Sequence, residues 1–164
     1  MWRPIVLCTA AMLALMAVPA YAADKQQPPD ERVASALKAA DLRFNLEDSG
    51  EYSVLIEWSN DGDRTHVARI PSATFRWQET EWRDVYAVAY KIKGDGLIEA
   101  KLANRLLVEN NDSLMGFWAR QGDTLLYIAR IPATATPSVL REAVMHVGEM
   151  ADDLEKEVTR ADDY

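Results

Sequence analysis

The two histidines of this 164-residue sequence, His66 and His146, are its only imidazole groups, and therefore its only candidates for a histidine base or metal ligand. Zinc-binding histidines often lie in short helical patterns such as His-x-x-x-His, and neither histidine has such a partner, nor a Glu-x-x-His pairing. The Gly-x-Ser-x-Gly turn that presents the nucleophile of many hydrolases is also absent. The sequence therefore predicts a protein that is not an enzyme, with no catalytic residue, no metal site and no cofactor.

Acidic side chains near the C-terminus are a second source of possible chemistry: Glu149, Asp152, Asp153, Glu155 and Glu157. Paired carboxylates can act as a general acid and a general base. These acids lie on a segment with an apolar stripe at helical spacing, and acids opposite such a stripe usually face solvent. We expect them to form the solvated face of a helix.

The most informative side chains are five aromatics in the third predicted strand region: Phe75, Trp77, Trp82, Tyr86 and Tyr90. Side chains alternate across a strand, so Tyr86 and Tyr90 should share one face, while the small Ala87 and Ala89 should let a helix pack closely on the other. The large face could be core, a dimer seam or a surface for a protein partner, because interfaces are rich in Trp and Tyr.

Trp77 and Trp82 lie among polar and charged neighbours, which favours exposure for both. The candidate partner-binding residues are therefore Trp77, Trp82, Tyr86 and Tyr90.

The first 22 residues have the pattern of a secretory signal peptide. Arg3 precedes an apolar run from Ile5 to Val18, and Ala20-Tyr21-Ala22 places small residues where signal peptidase requires them. The apolar run is shorter than the roughly 20 residues of a spanning helix, which favours cleavage after Ala22 over an uncleaved anchor. We expect a periplasmic or secreted protein without stable membrane insertion. Its one cysteine, Cys8, would leave with the leader.

The charge balance argues against nucleic acid as a partner. The formal net charge is −8, and loss of Arg3 with the leader would make it −9. Affinity for nucleic acid and for anionic lipid comes from clustered Lys and Arg, and this acidic chain has no such cluster.

The remaining sequence divides into a flexible linker, residues 23–29, and one domain, residues 30–164. Apolar periodicity and turn residues predict the elements of this domain in the order α-β-β-β-α-β-β-α. The helices are predicted at about Asp30–Asp41, Leu97–Glu109 and Thr136–Thr159, and the strands at Tyr52–Trp58, Thr65–Ile70, Ala73–Ile92 with an interruption, Leu114–Arg120 and Thr124–Ile131. This order is typical of an α+β fold in which helices pack against an antiparallel sheet.

This layout resembles the type III secretion chaperone-like fold and, within it, the YbjN family, which is described as bacterial sensory transduction regulators. Several segments carry the likeness: Arg83-Asp84-Val85-Tyr86, Leu106-Leu107-Val108-Glu109-Asn110, Gly116-Phe117-Trp118, Ile131-Pro132, Ala151-Asp152-Asp153-Leu154-Glu155 and Ala161-Asp162-Asp163-Tyr164. The resemblance implies a small non-enzymatic domain that binds protein and could form a homodimer. Secretion chaperones work in the cytosol, so the predicted leader argues against escort of a secreted effector.

Two functions remain open from the sequence. One is a periplasmic protein-binding domain that acts as a chaperone-like adaptor or regulator of the YbjN type. The alternative is a periplasmic small-ligand-binding protein with a pocket between the sheet and the C-terminal helix.

Overall fold

A computed structural model describes residues 28–58, 64–94 and 96–164. The predicted signal peptide, residues 1–22, and most of the predicted linker lie outside this part of the chain. No helix among the described residues combines the length and apolarity that crossing a membrane would require.

The described residues form an α+β fold, as the sequence predicts, and every strand pairing in its sheet is antiparallel. The helices are α1 (Glu31–Ala39), α2 (Ala100–Asp112) and α3 (Pro137–Val158). The strands are β1 (Asn45–Leu46), β2 (Tyr52–Trp58), β3 (Arg64–Ile70), β4 (Phe75–Trp77), β5 (Thr80–Lys91), β6 (Phe117–Gln121) and β7 (Thr124–Pro132). Two features differ from the predicted order: β1 is an additional short strand, and the interrupted third strand is a hairpin of β4 and β5.

The seven strands form one sheet in the order β1-β2-β3-β5-β7-β6, and β4 pairs with one end of β5. Strands β5 and β7 share a long register, whereas β3 and β5 pair only at Ala68↔Ala87 and Arg69↔Tyr86. The sheet therefore separates between the start of β3 and the end of β5. Polar side chains and the C-terminal residues lie in this gap.

Helix α3 covers the centre of one sheet face. It begins where the sequence predicts, with Thr136 as N-cap and Pro137 in the first turn. Its predicted apolar stripe is buried against β3, β5 and β7, which confirms intramolecular packing. The β5 residues beneath the helix are small, and Ala87 and Ala89 are fully buried. As predicted, these small side chains allow close approach of the helix.

Helix α1 is fixed to the sheet by an ion-pair network around its N-cap, Asp30. Arg32 bridges Asp30 and Glu81, while the buried Arg83 donates to Asp30 and to the carbonyl of Pro71. The hydrogen bonds from Arg32 hold the pKa of Asp30 down at about 2, against the effect of burial. Folding therefore joins the start of α1 to β5 through charged groups as well as through the core.

Candidate functional site

The aromatic face is the first candidate site: Phe75, Trp77, Trp82, Tyr86, Phe117 and Ile128. Cross-strand partners lie on the same side of a sheet, and the pairs Phe75↔Trp82, Tyr86↔Ile128 and Phe117↔Ile128 connect four strands. The opposite face carries Ala87 and Ala129, which belong to the core beneath the helices. Except for the exposed Trp77, all members of the aromatic face are half-buried.

Arg130 lies at the centre of the aromatic face. Its guanidinium carbon is 4.4 Å from the ring centroid of Phe75 and 5.4 Å from that of Phe117. The same guanidinium donates to both carboxylate oxygens of the buried Asp84, at 2.7 and 3.0 Å. Two rings and a bidentate ion pair therefore hold Arg130 in a defined position on the surface.

The two tryptophans are exposed to different degrees. Trp77 is at the end of β4 and has 66% of its surface exposed, as the sequence predicts. Trp82, on β5, is half-buried, and its indole Nε1 is buried without a hydrogen-bond partner among the described residues. Indole N–H groups usually find an acceptor when buried, so the Nε1–H of Trp82 is unusual. Because Trp77 is exposed and Trp82 is half-buried, Trp77 is the member of this face most available for contact.

The two tyrosines do not share a face, contrary to the prediction. A β-bulge interrupts the register, since Val88 pairs with Leu126 and Tyr90 with Leu125. Tyr90 consequently packs against the core, whereas Tyr86 stays on the aromatic face and donates to Glu51 Oε1 at 3.1 Å. A bulge adds a residue to one strand and reverses the alternation beyond it. The regular alternation of side chains between the two sheet faces therefore does not extend to Tyr90.

An open groove of about 600 Å³ is a second candidate site. Its walls are the end of α2, strand β7 and helix α3, with Met115, Met150 and Tyr127 among the lining residues. The Tyr127 hydroxyl is 2.7 Å from Ser113 Oγ and 3.2 Å from His146 Nε2. The groove lies where β7 of the sheet meets α3, the C-terminal helix, and none of the residues that line it comes from β5.

A buried charged cluster fills the gap between β3 and β5: Arg64, His66, Asp152 and Glu155. Asp152 and Glu155 are 5% and 0% exposed, so the prediction that these two acids face solvent is wrong. Glu155 follows Ala151 by four residues on α3 and thus lies on the buried stripe. The four-residue spacing can be read from the sequence, but a charged side chain at this position favours the interpretation that it faces solvent.

Arg64 links the cluster to the C-terminal residues. It donates to Asp152 Oδ1 at 2.8 Å and to the carbonyl oxygen of Ala161 at 2.7 Å, and it lies 3.3 Å from Glu155 Oε2. The backbone N–H of Asp163 donates to Glu155 Oε1 at 2.6 Å. The residues after α3 are therefore held over the gap by the cluster.

Burial shifts the pKa values of two groups in this cluster. Desolvation raises the pKa of Glu155 and lowers that of His66 from its usual 6.5, because burial disfavours the charged form of each group. His66 Nε2 lies 2.8 Å from the carbonyl oxygen of Val88, which can only accept. The ring proton is therefore on Nε2, and Nδ1 carries a lone pair.

These shifts predict the pH dependence of the Glu155→Gln variant. A carboxyl group with a raised pKa stabilises the fold below its unfolded pKa, near 4.5, and loses that contribution as pH rises through the folded pKa. Glutamine does not titrate, so the variant does not lose stability in this way as the pH rises. Urea unfolding should therefore show its stability improving relative to wild type between pH 4 and pH 8, a range chosen to span ordinary carboxyl and imidazole titration.

His66→Gln is the control, because its dependence has the opposite sign. A histidine with a lowered pKa contributes stability above its unfolded pKa of 6.5, and that contribution falls as the pH drops below this value. The His66→Gln variant should improve relative to wild type only at acidic pH. Parallel pH profiles for the two variants would contradict the opposite directions of these two pKa shifts.

The chain matches no protein-family model and no curated protein. Its resemblance to the YbjN family therefore remains a hypothesis.

Proposed function

We propose that the chain is a non-enzymatic, periplasmic protein-binding domain, a chaperone-like adaptor or regulator of the YbjN type. The aromatic face is its partner-binding surface. The observation that carries this proposal is the exposure of Trp77, 66% of its surface, on the sheet face that also presents Trp82 and Tyr86. Three of the four residues singled out in the sequence thus share one surface.

The chemistry of this face suits a protein partner. Trp, Tyr and Arg contribute most often to binding energy at interfaces, and here they lie on a sheet rather than on mobile loops. Arg130 is held by Asp84 and by Phe75 and Phe117, so a partner would meet an ordered surface. A surface that is ordered before binding loses less conformational entropy when the complex forms.

The two histidines support a non-enzymatic role. His66 is fully buried and therefore not accessible to a substrate in this structure. His146 lies beside the Tyr127 hydroxyl, which also contacts Ser113 and the carbonyl oxygen of Met115. Both imidazoles are thus engaged in contacts that position secondary structure.

The groove beside Tyr127 supports a second candidate function, the binding of a small ligand. Its volume of about 600 Å³ is within the usual range for ligand sites, and Met115 and Met150 offer apolar surface beside polar Ser113. A thermal-shift screen of small apolar molecules would test this function, with stabilisation that is lost in Met150→Asp as the supporting result.

Trp77→Ala tests the protein-binding proposal. We expect a photo-crosslinker placed at position 79, beside Trp77, to capture a defined envelope protein. The Trp77→Ala substitution should weaken binding of that protein by about tenfold or more, the range of an interface hot spot. Binding of the identified partner, purified, is measured by titration against each variant.

Leu114→Ala is the matched control, because Leu114 is also an exposed apolar side chain but lines the groove instead. It should bind the partner like wild type. Equal affinity of Trp77→Ala and wild type, with both variants folded, would remove the aromatic face as the binding surface. Loss confined to Leu114→Ala would assign binding to the groove.

A further inference from the structure

We propose that His66, Asp152 and Glu155 form a binding site for a divalent transition-metal ion, with Zn²⁺ as the best chemical match. Each residue offers one ligand atom, and these atoms lie within 4.8 Å of one another. All three residues are buried. The site joins β3 to α3 across the gap in the sheet.

The environment of the His66 Nδ1 atom points to a ligand. The side chain is fully buried, yet Nδ1 has no hydrogen-bond partner among the described residues. Its lone pair lies 3.6 Å from Glu155 Oε2 and therefore faces an acceptor. A buried lone pair directed at a carboxylate is unsatisfied, and a cation between the two atoms would give Nδ1 a partner. Glu155 Oε2, which already accepts from Arg64 at 3.3 Å, would gain a second partner.

The other ring nitrogen is arranged as it is in metal sites. His66 Nε2 donates to the carbonyl oxygen of Val88 at 2.8 Å. Metal-binding histidines usually donate their second ring N–H to a carbonyl or carboxylate, which fixes the tautomer and the ring orientation. Glu155 is oriented in the same way, because the backbone N–H of Asp163 holds its second oxygen.

The charge of the cluster also favours a cation. Arg64 is within ion-pair distance of Asp152, Glu155 and Asp162, so three carboxylates surround one guanidinium. With the acids ionised, the formal charge is −2, and a divalent ion would neutralise it. Arg64, which also donates to Glu155 Oε2 at 3.3 Å, would remain a hydrogen-bond donor to Asp152 Oδ1 outside the ligand set.

The ligand atoms select the class of ion. One imidazole nitrogen with two carboxylates suits Zn²⁺ and similar transition metals, whereas Mg²⁺ and Ca²⁺ prefer oxygen alone. Bonds of about 2.0–2.2 Å place ligand atoms of a tetrahedral zinc site roughly 3.4 Å apart. The distance of 3.6 Å between His66 Nδ1 and Glu155 Oε2 already approaches this value.

The test is a calorimetric titration of the purified chain, with no histidine tag, against Zn²⁺ and, in parallel, Mg²⁺. We expect a single Zn²⁺ per chain and no comparable binding of Mg²⁺. His66→Gln should weaken Zn²⁺ binding at least about tenfold, since a ligand rather than a supporting group is lost. His146→Gln is the matched control and should bind Zn²⁺ like wild type.

Wild-type protein that binds no Zn²⁺, or binding that survives His66→Gln, would overturn the proposal. If His66→Gln does not fold, the wild-type chain decides the matter through the ring ¹⁵N resonances. Zn²⁺ should shift Nδ1 of His66 and leave the ring of His146 unchanged. Unchanged His66 resonances at saturating Zn²⁺ would also overturn it.

Discussion

Replacing Arg64 with methionine should lower the free energy of unfolding at pH 7 by about 3–5 kcal/mol, the cost of removing one partner from a buried ion pair. The Arg64 side chain is 13% exposed, and the side chains of its partners Asp152 and Glu155 are 7% and 0% exposed. Methionine keeps an unbranched apolar chain but leaves both carboxylates without their cation. The carbonyl of Ala161 also loses a donor, so the C-terminal residues should be held less firmly, by the remaining bonds such as that from Asp163 N–H to Glu155.

Arg32→Met provides the matched control, because Arg32 also bridges two carboxylates. Its side chain is 49% exposed, and exposed pairs contribute only about 0–1 kcal/mol. Urea unfolding of both variants in the presence of EDTA measures the difference without a metal contribution. Equal losses would mean that burial does not strengthen the Arg64 network. The Arg64→Met loss should shrink at acidic pH, where Glu155 can take up a proton.

The apolar pattern of the sequence was enough to predict the α+β class. Helix α3 illustrates why: its cap at Thr136, its Pro137 and its stripe of apolar residues all specify the same helix. Strands β2 and β3 likewise have the predicted span to within a residue. The short strand β1 was missed because two residues, Asn45 and Leu46, carry no measurable period.

The candidate sites were less predictable, because they depend on contacts between distant segments. Trp77 could be assigned to the surface from its charged neighbours, whereas Tyr90 could not be placed, since the bulge arises from the pairing with β7. The charged cluster was missed for the same reason. His66 and Glu155 are far apart in sequence, and only the gap between β3 and β5 brings them together.

That gap also explains why a helix of ordinary amphipathic pattern buries two acids. Where β3 and β5 separate, the sheet presents His66 and Arg64 to α3 in place of apolar side chains. Buried carboxylates are tolerated only where such partners exist. The same separation creates the opening over which the C-terminal residues lie, so the polar cluster and the ordered tail have one structural origin.

Gly116→Ala should destabilise the fold by about 3 kcal/mol, since backbone strain and overpacking each contribute roughly 1–3 kcal/mol. Gly116 has φ of 111°, a conformation that side chains with a Cβ rarely adopt. An added Cβ would lie 2.6 Å from Tyr127 Cε1 and 2.7 Å from the carbonyl oxygen of Ile128. The backbone carbonyl cannot move without disturbing the pairing of β6 with β7.

Gly122→Ala separates the effect of backbone strain from that of overpacking. Gly122 also has a positive φ, 59°, but a Cβ there meets no atom within 4 Å, so only the backbone strain of about 1 kcal/mol applies. Thermal and urea unfolding of both variants measure the difference, and equal losses would contradict the close contact with Tyr127.

Tyr127 is 1% exposed and its hydroxyl lies 2.7 Å from Ser113, so a displaced ring should also alter the groove. Gly116 thus links the stability of the β6–β7 hairpin to the shape of the candidate ligand site.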